Sequence, residues 1–204
     1  QGDSKPIAHL FQEQLTSCEQ IVILDDGIVI QPHNLTVQSY NIDSGHIETK
    51  PVDWIWKLNA PQELIEVQID DTENNTLITT PEHPFFTHHL QSIKTIRADQ
   101  LHVGQSVLIA PEKPPILASQ ILIGTNHYYS HEHHDDARNL ETRSFSDFRW
   151  GEVTRIQRKT PHAYDYVYDL TISGHHNFIA NNIIVHNTTS AAKLARYFQK
   201  RGFR

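Results

Sequence analysis

His186, Asn187 and Thr188 stand in consecutive positions and combine an imidazole, a cyclisable amide and a hydroxyl. An asparagine side-chain nitrogen can attack its own main-chain carbonyl, closing a succinimide and breaking the next peptide bond. The reaction is slow unless the carbonyl is polarised and the departing amine receives a proton, and a neighbouring imidazole can do both near neutral pH. A hydroxyl directly after the asparagine adds an acyl acceptor. The three residues therefore read as a self-cleaving peptide junction; the same tripeptide standing alone is an ordinary polar turn.

The elements that must position this junction are strands. From Ile21 to Asn187 short β-branched and aromatic runs alternate with turn residues at the spacing of an all-β domain. Ile21 to Ile30 contains Asp26-Gly27 between apolar runs, a hairpin signal. Asp43-Ser44-Gly45 marks a second turn, between Val37 to Tyr40 and Ile47. Further strands are expected at Val52 to Leu58, Glu63 to Ile69, Asn75 to Thr79, Gln105 to Ile109, Glu152 to Gln157, Tyr166 to Ile172 and Phe178 to Val185. Several do not alternate cleanly, as befits a sheet buried on both faces.

Ile7, Leu10, Phe11 and Leu15 fall at helical offsets and predict a short amphipathic helix over Lys5 to Leu15, with one further turn expected at Ile96 to Leu101. A polar, His-rich stretch of about 124–149 lacks any apolar period and reads as a loop. His127, His131, His133 and His134 beside Asp135 and Asp136 are metal-capable in type, but ligands on a loop lose ordering entropy, and no metal or other cofactor is expected. The last segment, 188–204, opens with hydroxyl residues, places Ala191, Leu194, Ala195 and Phe198 on one face, and stops at Gly202, as a helix would.

Charge divides the chain at the same junction. The net charge of -7 comprises Lys193, Arg196, Lys200, Arg201 and Arg204 with no acid after Asn187, against 12 bases and 24 acids before Thr188. An acidic body argues against nucleic acid as a partner. No apolar run approaches membrane-spanning length, no secretory signal is evident, and a cytoplasmic monomer is expected by default. The single cysteine, Cys18, excludes an internal disulfide framework and a Cys-based zinc cage.

Taken together, several stretches resemble the splicing blocks of inteins. Val167 to Ile172, His176-Asn177-Phe178-Ile179-Ala180 and Val185-His186-Asn187-Thr188 look like the C-terminal blocks. Thr80-Pro81-Glu82-His83 before Pro84-Phe85-Phe86 is similar to the Thr-x-x-His block, and PQELIEV and IRADQLHVGQSV are also intein-like. The resemblance spans about residues 2–187 and rests on the order of the blocks. It implies an all-β horseshoe of the hedgehog/intein (Hint) type with one or two short helices, acting in single turnover on its own flanking segments. It also implies roles. His83 would distort the upstream scissile bond and protonate its nitrogen, Thr80 would hold geometry, and Asp169 would tune the nucleophile. His176 would be a second proton-transfer group for the Asn187 amide, and Thr188 would take the upstream segment by transesterification.

Gln1 departs from the pattern, because inteins usually begin with Cys or Ser. Three explanations stay open: first residues missing or replaced, direct attack by Thr188 on the upstream peptide, or Cys18 as the true first residue, which the helix over Lys5 to Leu15 opposes. The polar loop is too short for a homing endonuclease, which implies a mini-intein. The segment TTSAAKLARYFQKRGFR resembles the residues after Gly-Lys of the Walker A loop in the GTPase subunit of the signal recognition particle, and so implies a GTPase host split before its Mg-binding hydroxyl. Alternatives are a cleavage-only autoprocessing domain, a GTP-binding targeting protein, for which the Gly-rich half-loop is absent, and a β-rich binding module without chemistry.

Overall fold

The computed structural model describes residues 5–89, 92–110, 148–160 and 164–187. The His-rich stretch up to residue 147 and the segment from Thr188 onward lie outside the described residues.

One helix precedes the strands. α1 (Ile7–Leu15) presents Ile7, Leu10, Phe11 and Leu15 to the main core, as their offsets predict. Phe11 is buried and meets Tyr168 edge-on, with ring centroids 5.9 Å apart.

β1 (Gln20–Leu24), β2 (Gly27–Gln31), β5 (Trp54–Asn59) and β12 (Tyr166–Thr171) form a four-stranded antiparallel sheet in the order β1-β2-β5-β12. The first hairpin is displaced from its expected turn. Leu24 pairs with Gly27, so Asp25-Asp26 is the two-residue loop and Gly27 lies inside a strand. Its role is close approach: a Cβ there would collide with the Lys57 carbonyl oxygen and Leu58 Cα of the next strand.

The larger sheet contains β6 (Leu64–Ile69), β7 (Thr76–Thr79), β8 (Pro84–His89), β9 (Ser92–Arg97), β10 (Ser106–Ile109), β11 (Arg149–Lys159), β13 (Asn177–Ala180) and β14 (Ile183–His186). Its order is β13-β14-β8-β10-β11-β6-β7, with β9 added on β8. The run Phe178 to Val185, expected as one strand, folds back as the hairpin β13–β14. Asn181 and Asn182 supply its turn at φ 47° and 61°, a conformation that asparagine tolerates better than most residues. The pair β8–β9 is likewise missing from the expected strands, although Phe85-Phe86 lies within it. Ala98–Gln100 makes the short 3-10 turn anticipated near Ile96.

The hairpin of β3 (Thr36–Asn41) and β4 (His46–Pro51) stands as a third, two-stranded sheet around the Asp43-Ser44-Gly45 turn. Asn41 Oδ1 accepts the amide N–H groups of Asp43 and Ser44 and so closes that turn.

Side-chain alternation explains why the central strands read as continuous apolar runs. Phe85, Val107, Ile109, Ile183 and Val185 enter the main core with Phe11, Ile55, Ile69, Val153 and Ile172. Phe86, Leu108 and Ile184 point the other way and pack with Tyr40 of the hairpin. The sheet is covered on both faces where β8, β10 and β14 meet, and each fully buried side chain contributes about 2 kcal/mol by leaving water. That doubly buried centre is where the junction emerges.

Gly27→Ala is expected to destabilise the fold by about 2 kcal/mol through overpacking. Gly104→Ala, whose Cβ meets nothing but whose φ is +87°, should cost about 1 kcal/mol through backbone strain alone. Urea unfolding midpoints check both, and equal losses would refute the close-approach argument.

Candidate active site

The end of β14 and the start of β8 are brought together by register. Val185 lies opposite Phe85 in an antiparallel pair. Continuing that register by two residues places Asn187 across from His83, although 104 residues separate them in the chain. The upstream and downstream chemical groups thus share one sheet position.

Asn187 is held at three atoms. Its backbone N–H donates to the His176 carbonyl at 2.8 Å. Its side-chain Nδ2 donates to the Ile172 carbonyl at 3.0 Å. Its own carbonyl oxygen, on the carbon that cyclisation would attack, lies 2.6 Å from His186 Nδ1. Asn187 is 8% exposed, and its Oδ1 is buried without a partner among the described residues.

The turn between β12 and β13 supplies both carbonyls. Gly174 at φ +81° and His176 at φ +53° fold the chain back sharply, so that His176 N–H also reaches the Ile172 carbonyl at 3.2 Å. One oxygen, with its two lone pairs, therefore serves the turn and the Asn187 amide together. The His176 ring stacks on His186 with centroids 6.5 Å apart and an interplanar angle of 21°. Phe86 packs against the His186 ring as well, at 5.5 Å. In this structure His176 meets Asn187 through its carbonyl, and the oxygen nearest the Asn187 amide nitrogen belongs to Ile172.

His83 is a different kind of histidine. It is 8% exposed, its Nε2 is buried without a partner among the described residues, and Phe85 meets its ring edge-on at 5.7 Å. Burial, with a smaller repulsion from His186, pushes its pKa down to about 4. It is therefore a neutral imidazole at neutral pH. Thr80 accepts the His83 N–H through its carbonyl at 3.1 Å, which forms the turn that delivers His83 into β8. Asp169 is buried in β12, opposite Trp56, and its Oδ1 accepts the Leu170 N–H at 2.9 Å.

Two contributors are not evident from the sequence. The Ile172 carbonyl belongs to the backbone, and no residue type announces it. Asn177 is fully buried and acts as a false strand: Oδ1 accepts the Tyr40 N–H at 2.8 Å while Nδ2 donates to the Tyr40 carbonyl at 2.8 Å. An asparagine beside a block histidine was the available signal.

A cleft of about 650 Å³ opens beside these groups, lined by His176, His186, Phe86, the Asn41 to Asp43 turn and β9. No group of three or more metal-ligating side chains occurs among the described residues. Thr188 lies outside those residues, as do Gln1 and the His-rich loop.

The chain is similar in sequence and in fold to known proteins. The family model described as "Intein splicing domain" matches residues 11–187. The crystal structure of the PabCDC21-1 intein is similar at a TM-score of 0.67, with 22% identity over 92% of this chain and 91% of that one. The transcription factor IIB Mvu mini-intein gives 0.64 with 22% identity, over 89% and 88%. At these identities the likeness establishes the fold. Among curated proteins, a replicative DNA helicase DnaB of Nostoc sp. is 47% identical over 49 residues, which is 24% of this chain and 5% of the helicase. A replication factor C small subunit of Thermococcus kodakarensis is 45% identical over 56 residues, 26% of this chain and 6% of that protein.

His83 carries a testable acid dependence. Its folded pKa of about 4 lies below the usual 6.5, so between those values the unfolded chain binds the extra proton and stability falls as pH drops. The wild type should lose about 3 kcal/mol more than His83→Gln between pH 6.5 and 4, measured by urea unfolding. Parallel pH curves would refute a buried neutral imidazole.

Proposed function

The chain belongs to the intein splicing-domain family, a family whose domains act on their own flanking segments in protein splicing, and we propose that here the downstream step is cyclisation of Asn187 in cis. The observation that carries this reading is the 2.6 Å contact of His186 Nδ1 with the Asn187 carbonyl oxygen. A proton on Nδ1 withdraws charge from that carbonyl as the Asn187 amide nitrogen attacks its carbon. The new C–N bond closes the succinimide, the bond to residue 188 breaks, and the proton lost by Nδ2 is made good on the departing amine.

The amide starts in a useful pose. Among the described residues, Nδ2 is tethered by one hydrogen bond to Ile172 and Oδ1 by none, so rotation toward the carbonyl breaks a single contact there. Because both reacting groups belong to one residue fixed at its backbone N–H, much of the entropic cost of their meeting is already met by folding.

The upstream half rests on His83. A buried, neutral imidazole with an unpaired Nε2, across the sheet from Asn187, is suited to hydrogen-bond an upstream scissile peptide and pass a proton to its nitrogen. Thr188 is the acyl acceptor that takes the upstream segment as an ester before Asn187 releases it. An O-to-N shift then restores a peptide. Asp169 and His176 assist, the former from β12 and the latter by fixing Asn187 and flanking His186.

The proposed division of the chain is a splicing domain to Asn187, with the loop of about 124–149 in place of an endonuclease, and a downstream host segment over 188–204. The likeness of that segment to the residues after a Walker A Gly-Lys supports a GTPase host of the signal recognition type, cytoplasmic in setting. Splitting such a loop keeps its lysine apart from the magnesium-binding hydroxyl until ligation.

Mass spectrometry of the incubated chain tests the reading. Release of 188–204, leaving a C-terminal succinimide, is expected in the wild type and abolished in Asn187→Ala. His186→Ala should slow release by roughly 10²- to 10⁴-fold. Release that persists in Asn187→Ala, or no release from the wild type, would overturn Asn cyclisation.

A further inference from the structure

The hairpin β3–β4 contributes no reacting group, yet it grips the turn that carries His176 from both sides. On one side, Asn177 pairs with the Tyr40 backbone, and Ser39 Oγ donates to the Asn177 carbonyl at 2.8 Å, with Asn177 Oδ1 at 3.1 Å. On the other, His175 Nδ1 lies 3.0 Å from the same Ser39 Oγ, and His175 Nε2 lies 3.6 Å from Glu48 Oε2. Ser39 and Glu48 are direct partners across the two strands of the hairpin. His176, at φ +53°, is clamped between His175 and Asn177.

The proton count of this chain of contacts is restrictive. Ser39 is wholly buried and has one hydroxyl hydrogen. If that hydrogen points to Asn177, His175 Nδ1 must carry its own hydrogen and donate it to Ser39 Oγ. The Nε2 atom then faces the Glu48 carboxylate. If His175 Nδ1 is bare, the Ser39 hydrogen turns to it and Asn177 loses that bond.

We propose that Glu48, His175 and Ser39 are positioning residues for cleavage after Asn187, and that the competent arrangement has Glu48 holding the His175 ring, a hydrogen on His175 Nδ1 and the Ser39 hydroxyl turned to Asn177. The action passes through His176, whose carbonyl holds the Asn187 N–H and whose ring lies on His186. This role rests on the Asn-cyclisation reading.

Glu48 is equipped for the part. Lys50 first and Asn41 second, with a smaller contribution from His175, hold its carboxyl below the usual range, so it is anionic throughout the neutral region. Asn41 Nδ2 donates to Oε1 at 2.7 Å and Lys50 lies 2.8 Å from Oε2, which fixes the carboxylate beneath His175. The other ionisable groups that share the cleft with His175 are Asp43 of the hairpin turn, Lys94 of β9, His176 and His186.

The experiment monitors release of 188–204 from the full chain across pH 5 to 9 by mass spectrometry, with thermal melts alongside. Glu48 sits on a partly open strand and Gln keeps its Oε1 acceptor, so Glu48→Gln should fold normally while release slows several-fold across the pH range, because the His175 ring loses the carboxylate that holds it. Ser39→Ala should slow release roughly tenfold or more through misplacement of His176. In the double variant Glu48→Gln should add nothing, because its effect travels through the Ser39 hydroxyl. Native release from a folded Glu48→Gln, additive effects in the double variant, or native release from a folded Ser39→Ala would each overturn the relay. If Ser39→Ala fails to fold, the Glu48→Gln profile decides alone. Absence of release from the wild type, or release from Asn187→Ala, would instead defeat the cyclisation reading beneath it.

Discussion

The hydrogen bond from the Asn187 N–H to the His176 carbonyl is the constraint on which the rest of the site depends. It ties Asn187 to the turn between β12 and β13 just past the end of β14, and with the contacts at the Asn187 side chain and carbonyl it fixes the orientation of the main chain beside His186. Its worth as a single bond is modest, about 1 kcal/mol net. Its leverage comes from the elements it joins: β14 is wedged between β13 and β8, and both cores meet there.

Histidine chemistry is divided by burial. His83 is buried and neutral, and its Nε2 has no partner among the described residues, which suits it to the proton exchange proposed for the upstream junction. His186 lies at the wall of an open cleft, between the rings of Phe86 and His176. Burial is the larger cause of the neutral state of His83, and repulsion from His186 adds to it.

The legible part of this molecule was whatever one residue type or period could announce. Helix α1, the short turn at Ala98, most strands and the grouping of His83, His186 and Asn187 came from apolar spacing and from block residues. The hidden part depended on partners distant in sequence. Gly27 reads as a turn glycine because Asp-Gly is a turn dipeptide, and only the neighbouring Lys57 carbonyl reveals it as a close-approach position. Phe178 to Val185 reads as one apolar run because Asn181-Asn182 lacks the glycine that usually marks so tight a hairpin. The Ile172 carbonyl and the Asn177 false strand are invisible for a deeper reason: a backbone oxygen has no letter, and an amide's partners are set by tertiary contact.

A site that breaks its own chain must be both well held and incompletely satisfied. The Asn187 carboxamide oxygen is buried without a partner among the described residues, which costs about 1 to 3 kcal/mol in the intact chain. His176 adds backbone strain through its left-handed conformation, worth about 1 kcal/mol more. Both burdens fall on the ground state of one junction, and the two cores around β8, β10 and β14 are large enough to sustain them. The deficit falls on Asn187, on the turn that holds it and on His83 across the sheet, and the packing of the two cores around them supplies the stability that offsets it.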